Sequence, residues 1–305
     1  MRGTRRNRGV ALVTALLVLS LATIVAAALS LNARLDTRRA QNLLWRDQAR
    51  QVLLGAESWA ASQLDDDLAA SDRDHLGEDW AQAVPALPIE GGYVLGRIVD
   101  LQGRFNLNNL IDPDAQEAER ALEQFRRLLR SLELQEGIAD AVADWLDSDH
   151  EARFPDGAED DDYQRLRPAY QAADRPILSI SELLAVQGVT PEAYAALSPH
   201  VAALPPGTAV NLNTATAPVL QSLAADVTAA TAERIIRLRG EVGLDGTEDA
   251  VELLGGEVPV AIGLSSSYFQ LESQAVVGSL PVSLYSLLGR TGGLTRPLLR
   301  SLDAF

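Results

Sequence analysis

Residues 9–31 read GVALVTALLVLSLATIVAAALSL, and this stretch decides the fold because it carries no charge and is almost entirely apolar. The apolar run, residues 10–31, has 22 positions. As a helix it would span about 33 Å, enough to cross a hydrocarbon core of about 30 Å. The nine residues before it hold four arginines and no acid. A basic leader followed by an apolar helix is typical of membrane insertion with the leader in the cytoplasm.

The junction between leader and apolar run is open to three interpretations. A secretory signal peptide would be cut after Ala28, because Ala26 and Ala28 form an A-x-A cleavage site. A plain membrane anchor would stay uncut. A pilin-like leader would be cut between Gly9 and Val10, where a small residue separates the basic and apolar segments. The helical pattern continues to about residue 64 without a proline, which favours the pilin-like leader, since a secretory cut would leave the amphipathic second half unanchored.

The rest of the chain is acidic. The whole sequence has 42 acidic and 26 basic residues and a formal net charge of −16, which becomes −20 without the four leader arginines. A surface of this charge disfavours sequence-independent binding of nucleic acid. The chain has no cysteine, which excludes disulfides, thiolate metal sites and thiol catalysis. It also lacks a phosphate-binding loop, a dinucleotide fingerprint and a serine-hydrolase signature, so we expect no enzyme activity.

The body alternates between strand-like and helix-like patterns. Alternating apolar and polar residues predict strands at 93–101, 268–277 and 281–288, the last two joined by a turn at Gly278. Between them the pattern is helical, with start signals at Asp112-Pro113, Gln135, Ser179, Thr190-Pro191, Thr214 and Thr228. We therefore predict an α+β protein in four parts: a leader at 1–9, a helix at 10–64, a sheet region at 65–110 and 260–305, and an inserted helical domain at 111–259.

Residues 144–163 hold a dense group of carboxylates. Such groups repel one another, so the segment is either spread into solvent or neutralised by a cation. Hard oxygen ligands without cysteine suit Ca²⁺, but the EF-hand pattern fails because Ala152 stands where that loop needs glycine. The solvated loop and the calcium site both stay open, and a hydrolase with paired carboxylates is a third alternative.

Residues 210–215, VNLNTA, are similar to the turn that leads into a helix in helix-hairpin-helix DNA-binding modules. In those modules a glycine-rich turn presents backbone N–H groups to phosphate. Here residues 224–228 lack glycine and include Asp226, and only Arg234, Arg237 and Arg239 supply a weak basic stripe. A structural module is favoured, and a membrane-tethered DNA-binding protein is the alternative function.

Taken together, six stretches resemble the K-subunit family of type II secretion minor pseudopilins (general secretion pathway protein K). They occur in the family's order and cover about residues 9–223. The stretches are GVALVT at 9–14, RFNLNNL at 104–110, DWLDSD at 144–149, GAED at 157–160, SISEL at 179–183 and VNLNTA at 210–215.

The resemblance implies a pilin-like fold, with a long N-terminal helix on an antiparallel sheet and a large all-α domain inserted in the sheet. It implies a subunit at the tip of the pseudopilus, processed by prepilin peptidase between Gly9 and Val10. The fifth mature residue would be Thr14, where most pilin-like subunits have glutamate.

The resemblance also implies the surroundings of the subunit. Its partners would be the I and J minor pseudopilins, then H, and the major pseudopilin. The body would lie in the periplasm of a Gram-negative bacterium, with one span in the inner membrane and no nucleic acid bound. The family carries calcium in the helical domain, which maps here onto Asp147, Asp149, Glu159, Asp160 and Asp162.

Overall fold

The computed structural model describes residues 7–302, with side chains from residue 10 onward. Residues 1–6 of the predicted leader and residues 303–305 of the predicted sheet region lie outside the described residues. In chain order the helices are α1 (Asn7–Ala70), α2 (Ala115–Ser131), α3 (Ile138–Leu146), α4 (Asp160–Tyr163), α5 (Pro191–Leu197), α6 (Ala217–Ser222), α7 (Ala229–Arg239) and α8 (Glu248–Leu253). The strands are β1 (Val84–Ile89), β2 (Gly92–Asp100), β3 (Phe105–Asn106), β4 (Val201–Ala202), β5 (Val210–Asn211), β6 (Ile262–Gly263), β7 (Tyr268–Val277), β8 (Leu280–Thr291) and β9 (Leu294–Ser301).

Helix α1 is one uninterrupted element of 64 residues, about 96 Å long at about 1.5 Å per residue. Residues 10–44 are exposed on every side. The second half packs on the sheet through a stripe of small and branched side chains, Ala49, Leu53, Ala60 and Leu64. The spacing of these buried residues is that of an amphipathic helix, and α1 ends at Ala70, past the predicted residue 64.

The sheet is antiparallel with the strand order β1-β2-β7-β8-β9. The predicted strands are confirmed as β2, β7 and β8, and Gly278 takes the positive φ of 62° that the turn between β7 and β8 requires. Strand β1 was not predicted from the sequence because it contains Pro85 and Pro88. An edge strand tolerates proline, since one side of its backbone needs no ladder partner.

Neighbouring strands β2 and β7 are separated in sequence by residues 101–267, here called the insert. They pair continuously, from Gly92 opposite Val277 to Asp100 opposite Phe269. Helices are the main regular elements of the insert, as predicted, but two short parallel ladders, β3 with β4 and β5 with β6, close it. Its core is the largest hydrophobic cluster among the described residues and includes a stacked Phe105–Phe125 pair at 5.0 Å.

Helix α3 begins at Ile138, and its start was predicted near Gln135. Two other predicted helix starts are wrong by two residues. Helix α2 is capped by Asp114, because Asp112 ends the preceding 3-10 helix. Helix α6 follows Thr216, because the Thr214 hydroxyl donates to the buried carboxyl of Asp100 instead of capping the helix. The other threonine caps and the Ser179 capping box are confirmed, with Ser179 beginning a 3-10 helix, Ile180–Ala185.

The insert lies at the end of the body farthest from the apolar run. The near end of β2 lies beside the middle of α1, where the Gln48 side chain donates to the Glu90 carbonyl. The far end of β2 is Asp100, whose carboxyl accepts from Asn211, Thr214 and Ser266. The buried Asp100 therefore ties the insert to the sheet at this far end.

Candidate functional site

The acidic segment lies between α3 and α4. Asp144 is the last but two residue of α3 and is fully buried, and Asp147 caps the end of the same helix. Glu159 is the N-cap position of α4 and is 5% exposed. The chain between these helices wraps around Asp144, since the Arg153 backbone N–H donates to its Oδ2.

Gly157 is required by this wrapping. A Cβ added at Gly157 would lie 2.1 Å from Oδ2 of Asp144 and 2.4 Å from the Arg153 nitrogen. The close approach of backbone to carboxylate is therefore possible only with glycine at this position. It brings the two ends of the segment, which the sequence separates, into one acidic group.

Three of the five predicted ligands converge. One oxygen each of Asp147, Asp149 and Glu159 lie within 4.8 Å of one another. Glu159 belongs to a second such group with His150 and Asp174, which the sequence analysis did not identify as ligands. Asp174 lies beyond α4 and no local spacing pattern connects it to Glu159. In the structure Asp174 has an unusual backbone, with φ of 49°.

The other two predicted ligands point elsewhere. The Asp160 carboxyl accepts from the Gln171 side chain and from the Ala172 backbone. The Asp162 carboxyl pairs with Arg165 at 2.8 Å and accepts from the Glu159 backbone N–H. These two residues hold the loop around the cluster.

A cation fits the cluster because buried oxygens there lack donors. Both carboxylate oxygens of Glu159 and Oδ1 of Asp174 are buried without a hydrogen-bond partner in the described part of the chain. Buried polar atoms are normally paired, so such oxygens need an explanation. Arg153 supplies one positive charge, with Nε at 3.2 Å from Asp144 and Nη2 at 3.3 Å from Asp147. That guanidinium serves the α3 side of the cluster and leaves Glu159 without a counter-charge.

Burial and crowding raise the pKa values of the cluster. Burial, and then the charges of Asp144, Asp147 and Asp174, raise the pKa of Glu159 from 4.5 to about 7. Burial raises the pKa of Asp144 to about 6, although the hydrogen bond from the Arg153 N–H acts to lower it. Burial also raises the pKa of Asp147. A bound divalent cation would reverse this effect by favouring the ionised forms.

A second group of carboxylates contrasts with this one. Asp67, Asp74 and Glu78 also bring oxygens within 4.8 Å of one another. There the Arg290 guanidinium already lies among them, 2.9 Å from Asp74 and 3.4 Å from Asp67. This guanidinium offsets part of the charge of the three carboxylates, although burial and the charges of Glu78 and Asp74 still raise the pKa of Asp67 to about 7.

The helix-hairpin-helix-like stretch has a structural use. The side chains of Asn211, Asn213 and Thr214 are buried, and Asn213 Oδ1 accepts from the Leu244 backbone. Arg239 is buried too and donates to backbone carbonyls of the same stretch. The groups that resemble a DNA-binding turn are therefore used within the fold.

At the other end of the molecule, α1 presents Thr14 near the start of the exposed apolar run. Its hydroxyl donates to the carbonyls of Val10 and Ala11, at 3.1 and 3.0 Å, and so is satisfied within the helix. Within residues 7–302, α1 is the one helix long and apolar enough to cross a bilayer. Gly9 and Val10 both lie in this helix.

Comparison with known proteins gives consistent matches. Family models described as type II secretion system (T2SS), protein K, match residues 103–206 and 210–267. The type II secretion system protein K of Pseudomonas aeruginosa is 37% identical, covering 94% of this chain and 90% of its own length. That of Aeromonas hydrophila is 33% identical and covers 99% of both chains.

A solved structure matches as well. The crystal structure of the GspK-GspI-GspJ complex from the enterotoxigenic Escherichia coli type 2 secretion system contains a chain that superposes with a TM-score of 0.78. Its sequence identity is 26%, and the match covers 88% of this chain and 100% of the other. The similarity therefore includes the sheet and the insert together.

Proposed function

Because this chain belongs to the type II secretion system protein K family, we propose that it is the minor pseudopilin at the tip of the pseudopilus. There it helps to initiate and cap the filament during export of folded proteins across the outer membrane. It acts by packing and not by catalysis. The observation that carries this proposal is the place of the insert, which stands at the end of the body opposite to the apolar run.

The position of the insert favours a place at the filament tip for a steric reason. In a filament built on parallel α1 helices, the next subunit above would approach the end of the body where β2 stops at Asp100. Residues 101–267 occupy this end and are fixed to the sheet there. A subunit with such a head can join a stack from above but leaves no room for another above itself.

Thr14 supports the same position through electrostatics. In pilin-like subunits the fifth mature residue is usually a glutamate that meets the amine of a neighbour. An ionised carboxylate within a bilayer is costly unless it is paired. With its hydroxyl bonded inside the helix, Thr14 offers no charge to a subunit above. The amine of Val10 remains free to meet the glutamate of the subunit below.

The partners follow from this arrangement. The solved relative was crystallised with GspI and GspJ. We propose the corresponding I and J subunits as direct neighbours of this chain, with H and the major pseudopilin below. Prepilin peptidase would cut between Gly9 and Val10, leaving a single span in the inner membrane and the body in the periplasm.

We propose Ca²⁺ as the cation of the acidic cluster. Asp147, Asp149 and Glu159 would hold it, and Asp174, which groups with Glu159 and His150, would supply a further oxygen next to Glu159. The ion would supply positive charge to buried carboxylates and so brace the loop between α3 and α4. This support matters in a chain without disulfides. Asp160 and Asp162 would keep the loop in shape around it.

A labelling experiment tests the tip position. The chain has no cysteine, so a single cysteine at Val242, which is 76% exposed on the insert, can carry a gold particle. Filaments that contain the labelled chain should show gold at one end only, and the parent chain should show none. Gold along the shaft would contradict the proposal.

A further inference from the structure

Exposed arginines follow the apolar run of α1. Arg34, Arg38 and Arg39 come within eight residues of Leu31, and Arg46 and Arg50 follow farther along the helix. All five are exposed. This band is basic in a chain whose net charge is −16. The band has five arginines after the apolar run and the leader has four before it, so a bias in membrane orientation does not account for the band.

The three arginines nearest the apolar run are poorly neutralised. Arg39 pairs with Asp36 at 3.2 Å, but both side chains are more than 70% exposed, so the pair is weak. Arg34 and Arg38 have no hydrogen bond or ion pair to the residues that the structure describes. They lie four residues apart on one face of α1, where like charges destabilise a helix. This arrangement leaves two exposed guanidinium groups available to an anion from outside the chain.

Geometry places that anion in the lipid headgroup layer. Leu31 ends the apolar run, and Arg34 and Arg39 lie about 4.5 and 12 Å farther along the axis at about 1.5 Å per residue. The headgroup layer is about 5–8 Å thick on each side of the hydrocarbon core. Helical side chains point toward the N-terminus, which here is the membrane, so long arginines reach back into this layer. The three span an arc of about 140° around the helix.

We propose that Arg34, Arg38 and Arg39 bind the phosphate groups of anionic phospholipids in the leaflet through which α1 leaves the membrane. Together with the leader arginines on the other side, they fix the depth of the apolar run in the bilayer before assembly. Each basic residue near an anionic membrane surface strengthens the binding of that surface about fivefold. The proposal requires only that α1 spans a bilayer, and it is independent of a position at the filament tip.

The test uses the full-length chain in vesicles without any other pseudopilin. A fluorophore on Asn32→Cys, a unique cysteine, reports on the leaflet beside the three arginines. The quencher is a spin label on the acyl chain of either phosphatidylglycerol or phosphatidylcholine. We expect quenching by phosphatidylglycerol to show a local enrichment of about fivefold or more. The enrichment should fall toward one in about 1 M salt, where screening acts within about 3 Å.

Variants make the result specific. Replacing Arg34, Arg38 and Arg39 by glutamine in the labelled chain should abolish the enrichment. The matched control, Arg46→Gln with Arg50→Gln, lies beyond the headgroup layer and should retain it. Equal quenching by both lipids in the parent chain, or an equal loss in the control, would overturn the proposal. So would a triple variant that keeps the enrichment. If both lipids quench equally and the triple variant also captures partner pseudopilins more weakly, the arginines belong to a protein interface instead.

Discussion

Replacing Glu159 by glutamine is the most informative perturbation of the acidic cluster. Glu159 is 5% exposed and its two carboxylate oxygens have no donor within residues 7–302. Glutamine has nearly the same shape but carries no charge. The substitution should therefore remove both the cost of burying a carboxylate and the ability to bind a cation.

The magnitude follows from the raised pKa of Glu159. Without a cation, burial and the neighbouring carboxylates raise the pKa of Glu159 to about 7 in the folded chain, from an ordinary value of 4.5. The folded state thus holds the proton more tightly, so its stability is greatest below pH 4.5, falls between pH 4.5 and about 7, and stays low above. The difference corresponds to about 3 kcal/mol at about 1.4 kcal/mol per pH unit. In the Glu159→Gln variant this part of the pH dependence disappears.

The assay compares melting temperatures of the full chain in chelator at acid and at alkaline pH. From pH 4.5 to pH 8 the free energy of unfolding of the parent should fall by about 3 kcal/mol more than that of the variant. This difference corresponds to about 6–12 °C in melting temperature. The comparison between two pH values cancels any constant cost of the glutamine. Calcium at about 100 times its dissociation constant should raise the free energy of unfolding of the parent by about 2.7 kcal/mol at pH 8. It should leave that of the variant unchanged.

The control is Asp161→Asn, which removes an exposed carboxylate from the same short helix. It should keep the parent's pH dependence and its response to calcium. A Glu159→Gln variant that still responds to calcium would show that the cation binds elsewhere. A parent chain that melts equally with calcium and with chelator would refute the calcium proposal.

Four further predictions concern folding stability and the DNA-binding alternative. Gly157→Ala should lower the free energy of unfolding by about 1–3 kcal/mol or more in urea denaturation, because its Cβ would meet Asp144. Gly55→Ala, with nothing within 4 Å of the added Cβ, should raise it by about 0.5–1 kcal/mol. Thr214→Val should lower it by about 1.5–3 kcal/mol in the same assay, because the Asp100 carboxyl loses a buried donor. In a low-salt gel shift, the full chain should leave duplex DNA unretarded, and a retarded band would revive the alternative.

Local patterns predicted the parts of the fold that depend on neighbouring residues. Strands β7 and β8 were found because alternation and the turn at Gly278 act within a few positions. The start of α6 was not predicted correctly, because the Thr214 hydroxyl donates to Asp100, a residue more than a hundred positions away in sequence. Strand β1 was missed because its prolines are acceptable only at an edge, and edge position is a property of the whole sheet.

The candidate site shows the same limit. Asp147 and Asp149 stand in one short segment, and Glu159 follows after a loop, so their grouping is visible as local acidity. The contribution of Asp174 depends on how the chain returns after α4. Asp160 stands in the same acidic segment as Glu159, yet its carboxyl accepts a hydrogen bond from the Ala172 backbone. Composition predicted the region, and the fold distinguishes the residues proposed as cation ligands from those that hold the loop.

The central claim is that the apolar run stays in the mature protein as the helix through which it assembles. Mass spectrometry of the N-terminus of the chain purified from its native membrane tests this claim most directly. We expect a mature protein that begins at Val10, after removal of residues 1–9. A protein that begins at Leu29 would have lost most of the apolar run and would contradict it.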